Sequence, residues 1–97
     1  MNSIQSIQSL RLKIDEIDRQ LALLLSNRVS HADQIWKIKK ASDVEFIDLD
    51  REIQVIQQIS NQLIRAGVDS NTHQHVVEIF KSVLEKNREL LALRIQK

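Results

Sequence analysis

The sequence contains no cysteine, no proline and no tyrosine, and only one glycine, Gly67, in 97 residues. Each absence narrows the possibilities. Without cysteine there is no disulfide framework and no thiolate chemistry. With one glycine and no proline, the chain lacks the turn residues that an all-β fold of many short strands needs. Aromatic residues make up only 3%. They are Trp36, Phe46 and Phe80, too few for a base-stacking surface of the kind that binds single-stranded nucleic acid. The formal net charge is +1, so no global basic field marks a nucleic-acid binder. No apolar run approaches the ~20 residues of a membrane-spanning helix. The first ten residues show no basic start followed by an apolar core, so no signal peptide is expected and the expected compartment is the cytoplasm.

What the chain does contain is Leu, Ile and Val at helical spacing. The length suits a single domain, here residues 1–97. Leu10, Ile14, Ile17, Leu21, Leu24, Leu25, Ala32 and Ile35 recur in steps of three and four. They predict one helix from about Ile4 to about Ala41, with Ser3 as its N-cap. At ~1.5 Å per residue such a helix is roughly 55–60 Å long. That exceeds what a compact monomer of this size, with a radius of gyration near ~13 Å, can cover. A homodimer packed through the first helices is the expected remedy. The alternative is a break at Ser26-Asn27 and a four-helix monomer.

Residues 41–47 lose the helical period and are expected to form a loop. A second helix is expected from about Asp48 to Ala66, with Leu49, Glu52, Val55, Ile56, Ile59 and Leu63 inward. Gly67 stands where a C-terminal glycine belongs, and Asp69-Ser70-Asn71 supplies capping oxygens for a third helix. That helix carries Val76, Ile79, Phe80, Val83, Leu84, Leu90 and Leu91 to about Ile95. The fold class is therefore all-α: three helices, the first of them long.

The informative residues are charges where apolar side chains are expected. Arg28 and Lys39 lie on one row of the first helix with Leu21, Leu24, Ala32 and Ile35, eleven residues apart and so facing the same way. Uncompensated cations in a buried stripe are costly. Either they reach solvent or an internal acid, or an anion meets them. Asp48, Arg51 and Glu52 open the second helix. Asp48 has a structural role available as N-cap, and Arg51 has Asp48 or Glu52 within reach on a solvated face. Arg11 flanks the first stripe, with Asp15 as an available partner. Asn87 falls on the inner face of the third helix, either as a satisfied amide or as a pocket residue. His31, His73 and His75 lack metal-ligand spacing, so no metal site is expected. No phosphate-binding glycine loop and no nucleophile with an adjacent base is present.

Taken together, Leu10-Arg11-x-x-Ile14-Asp15-x-Ile17-Asp18-x-x-Leu21-x-x-Leu24-Leu25-x-x-Arg28, then Lys39, then Asp48-x-x-Arg51-Glu52, then Ile79-Phe80, resemble the all-helical (AroQ-class, type II) chorismate mutases over nearly the whole chain. The resemblance implies an intertwined homodimer with two active sites, each borrowing a residue from the partner's first helix. It implies an isomerase that rearranges chorismate, a small dicarboxylate, to prephenate by an intramolecular [3,3] shift. Arg28 would clamp a substrate carboxylate from its own subunit and Arg11 from the other. Arg51 would add carboxylate-binding charge. Lys39 would donate to the ether oxygen of the breaking bond. Asp48 and Glu52 would address the ring hydroxyl, and Ile35 and Asn87 would line the pocket. Such a reaction needs no acid, base or nucleophile, only a held conformer and stabilised charge, and the resemblance implies no metal or cofactor.

One departure stands out. Where the family has Ser and then Gln four residues later on the third helix, this chain has Asn87 and Leu91. Losing one donor to the ether oxygen typically costs ~10²–10³ in rate. The alternatives are a weaker chorismate mutase, a mutase of 4-amino-4-deoxychorismate, and a non-catalytic helical relative. Retention of Asp48 and Glu52 favours the mutases over the isochorismate-pyruvate lyases that share the fold. Trp36, beside Ile35, has no role that the resemblance assigns.

Overall fold

The computed structural model describes residues 2–95. Three helices follow one another: α1 (Ser3–Ala41), α2 (Leu49–Arg65) and α3 (Ser70–Ile95). The chain divides into two compact units, residues 1–34 and residues 35–97.

The first unit is the greater part of α1. Its start is set by Asn2 rather than by Ser3. The Asn2 carboxamide oxygen accepts from the Gln5 backbone N–H at 2.8 Å, while Gln5 Oε1 accepts from the Asn2 N–H at 3.1 Å. This is a reciprocal capping box, which satisfies two otherwise orphaned donors. Ser3 is thereby the first helical residue. No break occurs at Ser26-Asn27, where the helix continues; neither residue disrupts the backbone ladder strongly enough to stop it. Within this unit Leu10, Ile14, Ile17, Leu21 and Leu24 remain 51–64% exposed.

The second unit holds the last turns of α1, the α1–α2 loop, α2 and α3. Leu49 follows directly on Asp48, whose carboxylate caps α2 by accepting from the Arg51 N–H at 3.0 Å. The helix ends in a Schellman motif. Gly67, at φ +71°, donates from its N–H to the Ile64 carbonyl at 3.0 Å, and Val68 donates to Leu63 at 3.1 Å. Glycine enters this left-handed conformation without the Cβ clash other residues meet. Asp69 caps α3, accepting from the Thr72 N–H at 3.0 Å.

The short connection over residues 66–69 returns α3 antiparallel to α2. Two cross-links record that direction. Ser60 and His73 lie 2.9 Å apart near the turn, and Glu52 and Arg88 lie 3.0 Å apart farther from it. The most buried residues of the unit are Trp36, Leu84 and Leu91, at 8%, 8% and 2% exposure. Val55, Ile56, Ile59 and Leu63 of α2 and Val76, Phe80 and Val83 of α3 are half-buried. Leu49, expected inward, is 62% exposed in the single chain, and Ile79 and Leu90 of α3 are 50% and 37% exposed. A pair of helices buries one stripe of each, and positions flanking that stripe stay in water. Among the described residues no helix is long and apolar enough to cross a membrane.

Candidate functional site

Within the first unit Arg11 is exposed and Arg28 is half-buried despite its charge. The other predicted site residues belong to the second unit.

Lys39 lies in the last turn of α1 and is gripped from both ends by the loop that follows. Its backbone carbonyl accepts from the Val44 N–H at 2.9 Å, with Asp43 in the left-handed region at φ 56° to close the turn. Its ammonium donates to the Phe46 carbonyl at 3.1 Å in a part-buried setting. The Phe46 ring in turn stacks on Trp36, with centroids 5.0 Å apart and an interplanar angle of 29°. Stacked aromatic pairs contribute about 0.5–1.5 kcal/mol beyond burial. The hydrogen bond uses one of three ammonium protons and leaves two for a ligand. Ile35, one residue before Trp36, is 52% exposed.

At the start of α2, Asp48 serves as the cap described above. Arg51 is exposed and donates from Nη1 to Gln54 Oε1 at 2.7 Å, so its guanidinium is held along its own helix. It pairs with neither Asp48 nor Glu52. Glu52 is half-buried and accepts from Arg88 of α3 at 3.0 Å, in an ion pair whose side chains are 22% and 37% exposed respectively. A groove of about 460 Å³ lies between α2 and α3, lined by Glu52, Ile53, Ile56, Leu84 and Arg88 among others. Of the predicted residues, Glu52 is the one that lines this groove.

On α3, Asn87 shares a face with Leu84 and Leu91, which are three residues before it and four after it. Its Nδ2 is buried and has no hydrogen-bond partner. A buried donor without an acceptor costs about 1–3 kcal/mol. Leu91, at 2% exposure, is the most thoroughly buried of the core residues. Among the described residues no group of three or more His, Cys, Asp or Glu is placed to hold a metal ion.

Two residues escaped the sequence reading. Arg88 pairs with a residue 36 positions away, which no local pattern announces. Its spacing from Leu84, one turn earlier, was the available hint that it faces α2. Phe46 enters through its backbone carbonyl, which sequence patterns do not reveal. Nothing in the sequence pattern announced that its ring would stack on Trp36.

The pattern of type II chorismate mutases matches residues 10–91. The chain belongs to the type II chorismate mutase family. It is thus an enzyme of the isomerase class, and Arg11, Arg28, Lys39, Asp48, Arg51, Glu52 and Asn87 all fall within the matched segment. The chorismate mutase of Methanocaldococcus jannaschii is 30% identical over 87 residues, which cover 90% of this chain and 85% of that protein. The T-protein of Haemophilus influenzae is 26% identical over 80 residues, 82% of this chain and 21% of the longer protein. No solved structure matches the chain.

Proposed function

We infer that this type II chorismate mutase converts chorismate to prephenate by a [3,3] rearrangement, in a homodimer whose sites are shared between subunits. The observation that carries this reading is the family match over residues 10–91, which takes in every charged landmark in order. In the rearrangement the ether C–O bond breaks as a C–C bond forms. No proton or cofactor is consumed. Arg28 and Arg51 act as carboxylate clamps together with the partner subunit's Arg11. Lys39 donates to the ether oxygen as negative charge develops there. Asp48 and Glu52 address the ring hydroxyl, and Ile35 lines the pocket. Asn87 supplies a donor to a substrate carboxylate, a role supported by its buried amide nitrogen without a partner.

The dimer is supported by the apolar face of α1. A contiguous exposed stripe of Leu and Ile is the mark of a surface that another protein surface covers, and a second copy supplies one of matching pattern.

Leu91 has no donor to offer where the family places one at the ether oxygen, so turnover is expected to be slower than that of a relative with glutamine there. Chorismate remains the first substrate to test, ahead of its 4-amino analogue. Glu52 is already charge-compensated by Arg88, so a ring ammonium gains less from it than from an unpaired carboxylate. The test is loss of chorismate absorbance with purified protein, beside the same assay on the amino analogue. Turnover of chorismate that Arg28→Ala abolishes while leaving the helical signal intact supports the reading. Turnover of the analogue alone reassigns the substrate. A folded dimer that turns over neither makes the chain a binding relative without catalysis.

A further inference from the structure

Phe46 links Trp36 to Lys39, the cation assigned above to the ether oxygen. Trp36 is one of the most buried residues of its unit, at 8% exposure, although it lies only three residues before Lys39 on the helix. Phe46 is half-buried in the loop and stacks on it at 5.0 Å. The same Phe46 residue offers its carbonyl to Lys39 Nζ at 3.1 Å. Two residues farther on, Asp48 caps α2. The stack therefore fixes a short stretch of backbone that holds the Lys39 ammonium on one side and the first turn of α2 on the other.

We propose that Trp36 and Phe46 are positioning residues: their stack holds the Phe46 carbonyl where it orients the Lys39 ammonium toward the reacting ether oxygen. The proposal rests on the reading of Lys39 as the donor to that oxygen. A lysine side chain has four rotatable bonds and loses much of its freedom when it is held. A donor already held before substrate arrives need not be ordered during the reaction. The carbonyl accepts one proton of the ammonium, fixes its direction and leaves two protons free. The rest of the loop supports the same placement, because Val44 holds the Lys39 carbonyl at 2.9 Å. Loss of the Phe46 ring leaves the carbonyl in the chain but releases the backbone that carries it.

The experiment uses the full chain and four variants, Lys39→Ala, Phe46→Ala, Phe46→Tyr and Trp36→Phe, each checked for folding by circular dichroism. The expected result is that Phe46→Ala remains folded and loses kcat by on the order of tenfold or more, since small misplacements of a reacting group are expensive in rate. KM is expected to change little, because the interaction matters in the transition state. Phe46→Tyr and Trp36→Phe preserve a stacked pair and are expected to keep kcat. Trp36 is the only tryptophan, so its emission reports the stack directly and is expected to shift to the red in Phe46→Ala. A folded Phe46→Ala with the parent kcat, while Lys39→Ala is inactive, overturns the positioning role and leaves that of Lys39 standing. Undiminished kcat in Lys39→Ala overturns the role of Lys39 and the proposal with it. Equal loss of kcat in Phe46→Tyr and Phe46→Ala also overturns the proposal, since the ring is then not acting by stacking.

Discussion

Arg88 on α3 donates to Glu52 on α2 across 3.0 Å, joining residues 36 apart in sequence. The pair lies beside the α2–α3 groove and is part-exposed. Solvent screening limits what it contributes. A double-mutant cycle of Glu52→Gln and Arg88→Ala, read by chemical denaturation, is expected to give a coupling below about 1 kcal/mol. The coupling should shrink further at 1 M salt, where the screening length is about 3 Å. A coupling of several kcal/mol would mean that the pair is far better shielded than its geometry implies.

Asn87 carries the opposite imbalance, a buried donor with nothing to accept its proton. Replacing it with leucine, of similar size, removes the unsatisfied group from the face it shares with Leu84 and Leu91. Asn87→Leu is expected to stabilise the free protein by about 1 kcal/mol in denaturant unfolding. It is also expected to raise KM for chorismate, because the acceptor missing from the free protein is assigned to the substrate. A less stable variant would show that the amide is satisfied in solution.

Asp69 provides a pH signature. The Thr72 backbone N–H, followed by the Thr72 side chain, holds the Asp69 carboxyl below its ordinary 3.8. A depressed carboxylate stabilises the fold fully above the unfolded value, and the contribution is lost as pH falls through the folded one. Asp69→Asn keeps a capping oxygen but cannot titrate. The difference in melting temperature between wild type and Asp69→Asn should be constant above pH about 5 and close below about pH 3.8. A difference that persists unchanged into strong acid would rule out the titration.

Ile17 tests the dimer. It is 60% exposed in the single chain and lies in the middle of the α1 stripe. Ile17→Glu places a charge where the second copy is proposed to pack, which is strongly unfavourable once water is excluded. Sedimentation should show a dimer for wild type and a shift toward monomer for the variant, with turnover lost in parallel. A wild type that sediments as a monomer and still turns over chorismate would remove the shared site.

Much of this protein was determined by local sequence. The three-and-four spacing from Leu10 to Ile35 set α1, the absence of proline and glycine let it run unbroken, and Asp48, Gly67 and Asp69 set the boundaries of α2 and α3. These signals are legible because helix periodicity and capping act within a few residues. Asn2, not Ser3, took the first cap because two short polar residues competed for it and Gln5 completed a box with only one of them. The charges of the candidate site were legible as residue types out of place. Their partners were not. The bond from Lys39 to the Phe46 carbonyl depends on how the α1–α2 loop folds back, and the pairing of Glu52 with Arg88 depends on the antiparallel return of α3. Likewise, the lack of an acceptor for the buried Asn87 amide nitrogen is a property of the packed helix pair. Such contacts join residues that sequence distance keeps apart, and backbone atoms that no side-chain pattern encodes, so only the tertiary structure decided them.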